Sequence, residues 1–587
     1  MSLRIHAITS EVILNAFQSI TEEMSVALVR SAYSTNIKER KDCSCAIFDS
    51  KGSLITLAEN IPIHLGSMQG LMNKIGRNLK KWNFRRGDIL IANDPYLGGG
   101  SHLPDVTLTR PVYYHNKLLA FVTNVAHWTD IGGRSPGVGT AGDSTEIYQE
   151  GFRIPPTKIM RKNILQKDVL EFIMSNVRGR QEREGDLRAQ IASLLLGERR
   201  LHELHKEYKP ETITKIEAEI FDYSEDWLRK ALTTIPEGTY CFSDVMDDDG
   251  ISNKHLPIKV TVIITHKYRP SITFDFTGTA AQAEGGINMV RQALLATVLY
   301  AVKAIIAPDV PINAGFQRPI RIKAPSNSLV NASEPAAVGG RTDTCQRVVD
   351  VIMGALAQAV PERVLAASNG ATTAIIFGGT KELSGSDFIY VEALGGGMGA
   401  RFTKDGMDGI QVHITNTSNL PIEAMEMEYP LRVLKYELIQ DSGGAGRFRG
   451  GLAIHKEIQA LVPVLFSAHA DRHFVSPWGL KGGLHGKTGR FLLNPDQSGS
   501  KRIKSKVSGV LIRKGDILCV QTAGGGGYGS PLKREPERVL NDFIQEKISR
   551  LQARKSYGVV FSRTRKIDWL ATTSLRKKML KRKISES

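Results

Sequence analysis

Asp88-Ile-Leu-Ile-Ala-Asn-Asp-Pro-Tyr-Leu-Gly-Gly-Gly-Ser-His-Leu-Pro-Asp105 runs directly into Val106-Thr-Leu-Thr-Arg-Pro-Val-Tyr-Tyr-His-Asn-Lys-Leu-Leu-Ala-Phe-Val-Thr-Asn-Val-Ala-His-Trp128. The first half reads as a buried strand over 88–94 that empties into a glycine-rich loop. The second reads as a hairpin turning at His115-Asn-Lys117, because two apolar, β-branched runs flank a short polar break. A strand, a loop and a hairpin in succession point to an antiparallel or mixed sheet, since a parallel sheet requires long helical crossovers.

Working outward, Ile8, Val12, Ala16, Ile20, Met24, Ala27 and Leu28 recur at helical spacing and predict a helix over 8–33. The segment CSCAIFDSKGSLITLA predicts a hairpin turning at 49–52, and a helix follows His64. Downstream, helical patterns cover 168–208, 212–234, 290–306 and 344–359, with strands between 238 and 280. The stretch 429–522 is rich in strands and glycine. The fold class is α+β (mixed α/β) and multi-domain, with mixed sheets, hairpins, packed helices and a strand-rich C-terminal part. With 587 residues the chain exceeds one ordinary core. Expected divisions are 1–235, a central α/β part 236–429, a strand- and glycine-rich part 430–530, and a helix with a basic tail over 531–587.

Composition removes several function classes. At 41% hydrophobic and 23% charged residues the chain is globular rather than disordered. Its five cysteines are too few and scattered for a disulfide framework, and Cys43-Ser-Cys45 reads as two apolar side chains on one strand face. Cys345 stands at a helix start and reads as structural. The N-terminus lacks an uninterrupted apolar region, and no stretch approaches the ~18 residues of a membrane span. A cytoplasmic location, without membrane association, is expected. The net charge is +17, but 531–587 holds 16 basic against 6 acidic residues, leaving +7 for the rest. The basic character therefore belongs largely to a tail, solvated or docking a partner, and nucleic-acid binding is not expected.

His102 and Asp105 lie on the glycine loop, and His127 ends the return strand of the next hairpin. A hairpin brings its second strand beside its first, so the three side chains can converge. Two imidazoles and a carboxylate suit a divalent ion such as Mn, Fe or Zn, with positions left open for water or substrate. Asp42, in ERKDCSC, fits as a fourth ligand or as an orienter of a histidine. Hydrogen-bonded structural histidines and a turn aspartate are the alternative reading of the same residues. The glycine runs 98–100, 395–399 and 524–527 lack a Walker lysine or a G-x-G-x-x-G that opens a helix, and read as tight turns. Any ATP used must therefore be bound by another subunit. Asp247-Asp-Asp249 reads as a solvated turn.

The motifs NDPYLGGGSHLPD, AHWTDIGG, EGFRIPP, ERKDCSCAIFD, IPIHLGSMQG, FDFTGTAAQAEGGIN, SPWGLKGG and TAGGGGYGSP extend over nearly the whole chain. Together they resemble the hydantoinase B / oxoprolinase family. That family comprises N-methylhydantoinase B subunits, the C-terminal half of 5-oxoprolinase and the alpha subunits of acetone-type carboxylases. The resemblance implies a B-type subunit of an ATP-dependent cyclic-amide hydrolase in a hetero-oligomer. A partner A subunit, built like an actin-type ATPase, would bind ATP and activate the small cyclic amide. The metal set implied is His102, Asp105 and His127, with Asp42 added. Gly98, Gly99, Gly100 and His64 are implied to line the substrate pocket, and Asp130, Glu146 and Glu150 to activate water. Arg341 and Asp343 depart from the family pattern and bear on substrate identity. A ketone carboxylase subunit and a non-catalytic, metal-stabilised assembly subunit are the two rival readings.

Overall fold

A computed structural model describes residues 2–58, 60–137, 142–383, 385–495 and 498–585, with side chains from 8 to 582. The last residues of the basic tail, 586 and 587, lie outside the described residues. The structure is multi-domain α+β; its described residues form four sheets that are mostly antiparallel, with helices packed on them.

The first sheet has seven strands in the order Leu54–Leu57, Cys43–Asp49, Lys117–His127, Asp105–Tyr114, Ile89–Ala92, Thr157–Arg161 and Ile164–Leu165. Its central strands are buried on both faces, which is why they read as nearly continuous apolar runs. The hairpin turns where expected: His115 and Asn116 both have positive φ, +45° and +65°, as a tight two-residue turn requires. Helices Ser2–Ser31 and Arg180–Glu207 pack against each other and against this sheet. Helix His64–Arg77 packs against its strands and against helix Arg291–Ile305.

The second sheet is Ile320–Lys323, Ser271–Asp275, Leu256–Thr265 and Gly238–Met246, and helix Arg341–Leu356 packs on it. Every residue of that helix is buried, so it is the central post of the molecule. Two further sheets follow, one of Asp387–Ala393, Ala374–Thr380, Val464–His469 and Lys506–Ile512, the other of five strands from Leu431–Leu438 to Lys501–Ile503. They enclose a second apolar core, while the first core runs without interruption from Ile13 to Val364 and takes in Ile414. Apolar packing is thus continuous across residue 235, where the first and second sheets separate.

Several local expectations are corrected. The helical stretch 168–208 is two helices, Lys167–Met174 and Arg180–Glu207, separated by Gly179 at φ +67°. The helix expected within 531–587 is likewise divided, into Pro536–Ile544 and Arg550–Tyr557, and the basic tail itself forms a further helix, Trp569–Ser585. Asp247 and Asp249 are each only 2% exposed: the turn they form is buried and accepts backbone hydrogen bonds rather than being solvated. Gly524 to Gly527 is no tight turn but a segment threaded between other backbones. A Cβ on Gly525 would lie 2.1 Å from the Met398 carbonyl oxygen.

Candidate functional site

Pairing register builds the centre. Asp105 and His127 are direct cross-strand partners at one end of the hairpin. On the other side of the same strand Cys43 pairs with Ala126, and the His127 amide donates to the Asp42 carbonyl at 3.0 Å. Asp42, His127 and Asp105 therefore sit side by side at the ends of three adjacent strands. His102 joins them from the loop, its Nε2 3.1 Å from Asp105 Oδ1. Donor atoms of His102, Asp105 and His127 all lie within 4.8 Å of one another. His64, at the start of its helix, places Nε2 3.4 Å from Asp42 Oδ1 and 3.7 Å from Asp105 Oδ1.

The loop glycines serve this arrangement by allowing close backbone approach. A Cβ on Gly100 would meet the Asn93 carbonyl at 2.4 Å and the His102 carbonyl at 2.7 Å, so only glycine lets the loop fold back to present His102. None of the three glycines lines the cavity at the centre. Gly98 instead lines a separate cavity of about 470 Å³, with Arg291 and Tyr96.

Electrostatics fixes the protonation states. Burial foremost, then the Arg341 charge, pushes the His102 imidazole down to about 3. Burial likewise lowers His127. Both rings are neutral near pH 7, with a lone pair to offer. Burial works to raise the Asp105 carboxyl, but His102 and Arg341 outweigh it and hold Asp105 ionised. Asp42 is held at about 2, where the neighbouring His127 and His64 overcome its burial. His102 Nδ1 is buried without a hydrogen-bond partner, an unusual state for an imidazole nitrogen and one that a bound cation or reorientation would relieve. The donor set and this orphaned nitrogen fit a divalent metal of the Mn, Fe or Zn kind.

Supporting contacts come from distant parts of the chain. Asn36 Nδ2 donates to the His127 carbonyl at 3.0 Å and lies 3.2 Å from its Nδ1. Asp105 Oδ2 accepts from Ser101 Oγ at 2.7 Å and from Arg341 Nη2 at 3.1 Å, leaving Oδ1 turned to His102. A small cavity of about 70 Å³ is lined by Asp42, His64, His102, Asp105, His127 and Arg341, and also by Arg40 and His469. His469 Nδ1 is 2.9 Å from Asp343 Oδ2, an imidazole–carboxylate pair at the cavity wall. An adjoining, mainly apolar cavity of about 340 Å³ shares Ile61 and Thr415 with it.

Asp130, Glu146 and Glu150 stand elsewhere, outside the lining of this cavity among the described residues. The Asp130 carboxylate accepts from the amides of Gly132, Gly137 and Arg178 and from the Arg178 side chain, knotting the loop after His127. Glu146 forms a backbone bridge to Ala336. Glu150 accepts from the amides of Val338 and Gly339, and burial pushes its carboxyl up to about 7. Of the thiols, burial raises Cys43 and pushes Cys45 and Cys345 up to about 12, so none of these is a ready nucleophile. Sequence reasoning passed over Asn36, Arg40 and His469. The one local signal was that His469 closes a strand, Val464–His469, as His127 closes its own.

The fold and this centre define an α+β chain with an internal imidazole–carboxylate site at the ends of adjacent strands. The family model described as hydantoinase B/oxoprolinase matches residues 6–531, and the chain belongs to that family. It is 33% identical over 98% of its length to the B-type subunit of a provisionally named D-/L-hydantoinase of Pseudomonas sp. (strain NS671), covering 98% of that protein. It is 34% identical over 88% of its length to 5-oxoprolinase 1 of Arabidopsis thaliana, of which it spans 41%. The crystal structure of an ATP-dependent caprolactamase from Pseudomonas jessenii superposes with a TM-score of 0.89 at 28% identity, covering 97% of this chain and 99% of that one. Among the described residues, no helix is long and apolar enough to cross a membrane.

Proposed function

We propose that the chain is the B-type subunit of an ATP-dependent cyclic-amide hydrolase, in the cytoplasm, working with an A-type subunit that binds ATP. The observation that carries this reading is the convergence of His102, Asp105 and His127 within 4.8 Å beside a cavity, with one buried imidazole nitrogen unpartnered. The names of the relatives support the substrate class: a hydantoinase, a 5-oxoprolinase and a caprolactamase all act on cyclic amides.

A divalent ion held by His102, Asp105 and His127, with Asp42 beside them, would polarise a carbonyl-type oxygen and acidify water. The chain's own groups do the rest. Ser101 and Arg341 hold Asp105 in one orientation by occupying Oδ2. Asn36 and the Asp42 carbonyl hold the His127 backbone, and Asn36 Nδ2 also lies 3.2 Å from the Nδ1 of its ring. Asp343 fixes His469 through Nδ1, leaving Nε2 to take a proton from water or to give one to the ring nitrogen as it leaves. The Arg40 and Arg341 guanidiniums put positive charge on the wall, which suits an intermediate carrying a phosphoryl group. The adjoining apolar cavity has room for the ring itself.

The test is turnover of hydantoins, 5-oxoproline and larger lactams with ATP and an A-type partner, before and after chelator treatment. Ring opening that is lost on chelation and restored by Mn, Fe or Zn is the expected outcome. An active complex insensitive to metal removal would overturn the assignment of the centre. The His469→Ala variant should keep its metal and lose roughly 10²–10⁴-fold in kcat, measured at saturating substrate.

A further inference from the structure

A second convergence of metal-binding atoms lies on the C-terminal five-stranded sheet. Strand Ile454–Ala460 is flanked by Leu431–Leu438 and Ile517–Gln521. Glu457 is the direct cross-strand partner of Cys519, and His455 that of Glu437. His455 and Glu457 are two residues apart and so share a sheet face. That face is the one turned away from the apolar core, which takes Ile458, Leu518 and Val520.

The donor atoms are close enough together to share one ion. His455 Nε2 is 2.8 Å from Glu457 Oε1 and 3.4 Å from Cys519 Sγ, and the three donor atoms lie within 4.8 Å of one another. Zinc bound at about 2.0–2.3 Å to N, O and S sets its ligand atoms roughly 3–4 Å apart. The other ring nitrogen, Nδ1, faces Glu437 Oε1 at 3.5 Å, the carboxylate partner that orients a metal-bound imidazole. Glu457 and Cys519 are buried, whereas a solvent-facing sheet position ordinarily carries an exposed polar side chain. The backbone pairing makes the set rigid, since two ligands come from one strand and the third from its neighbour.

We infer that His455, Glu457 and Cys519 bind a borderline divalent cation of the zinc class, separate from the centre at His102. Binding releases the thiol proton of Cys519, and the imidazole keeps its remaining proton on Nδ1, towards Glu437. The thiolate and carboxylate then balance the charge of the ion. Lys435, whose Nζ is 3.2 Å from Glu457 Oε1, is 45% exposed at its side chain and withdraws into solvent. Sulfur in the set selects zinc or cobalt over magnesium or calcium. Because Cys519 has no exposed surface, the cluster suits a small ion rather than nucleophilic attack on a substrate.

The test is cobalt(II) titration of the metal-free full-length chain, followed by absorbance. The set at His102, Asp105 and His127 contains no sulfur, so a thiolate-to-cobalt band in the near ultraviolet reports the second site alone. The expected result is that band, saturating once about two equivalents of ion have filled both sites, and its loss in Cys519→Ser. His455→Gln, tested the same way, should weaken cobalt binding at least about tenfold and serves if the serine variant does not fold. A folded wild-type chain with no thiolate band, a band that persists in folded Cys519→Ser, or cobalt affinity unchanged in folded His455→Gln overturns the assignment and leaves a hydrogen-bonded cluster braced by Lys435. Neither outcome bears on the lactam-hydrolase reading, which concerns other residues.

Discussion

The centre at His102 and the ionic knot at Asp350 are both buried and both rich in carboxylates, but they differ in what faces those carboxylates. In the knot, Asp350 meets Arg472 at 2.9 Å and His413 at 3.0 Å, Asp244 meets Arg472 at 3.0 Å, and Asp471 meets Arg347 at 3.5 Å. Guanidinium groups only donate, so the charges there are matched from within. In the centre, Asp105 and Asp42 face imidazoles, and the buried nitrogen left over, His102 Nδ1, can offer a lone pair, whereas those left over in the knot, on Arg347 and Arg472, can only donate. Burial of charge is common to both; donors able to hold a cation distinguish the site from the structural knot.

Removing one residue from each region puts that contrast at greatest risk. His102→Ala should strip the ion from the centre and lower ATP-dependent turnover on the order of 10³-fold or more, with little change in Tm. Metal analysis and a thermal melt on one preparation check both halves. Asp350→Asn should do the reverse, leaving metal content unchanged but costing on the order of 3 kcal/mol in urea unfolding, because Arg472 stays buried with one of its two carboxylate partners lost. If the two variants gave the same phenotype, the distinction between the regions would fail.

Smaller effects refine it. Asn36→Ala leaves every proposed ligand in place but frees His127, and should weaken metal affinity roughly 10–100-fold by competition with a chelating dye. At the edge of the knot, Asp247 and Asp471 titrate as a pair. Burial and the Asp471 charge push Asp247 up to about 6, whereas Lys506 and Arg347 overcome burial to hold Asp471 at about 2. Asp471 therefore adds stability that is complete above its unfolded value of 3.8 and lost as pH falls towards 2. Asp247 has the opposite sign: its folded form keeps a proton that the unfolded chain releases, so stability declines as pH rises from 3.8 to about 6. The two effects fall in adjacent pH windows, so stability rises on the acid side of pH 3.8 and falls on the other. Urea midpoints between pH 2 and 7 should peak near pH 4, and Asp247→Asn should flatten the upper arm.

The hairpin at 115–117, the glycine loop that ends at His102, and the return of His127 beside Asp105 were all legible in the order of residues. They follow from short-range rules: alternation, turn chemistry and the antiparallel return of a strand. The helices at 64–77 and 291–305 were legible too, because their apolar faces recur every three to four residues. What completes the site was settled by long-range packing. Arg341 reaches Ser101 across 240 positions, and His469 meets Asp343 across 126, because helix Arg341–Leu356 and strand Val464–His469 pack where local periodicity carries no instruction. The same packing consumed the Asp130 carboxylate in a loop knot, buried Asp247 and Asp249, and threaded Gly524 to Gly527 between backbones. A carboxylate in sequence is only a charge on offer. Whether it binds an ion, anchors a loop or neutralises an arginine depends on which groups the fold brings to its oxygens, and those groups lie far away along the chain.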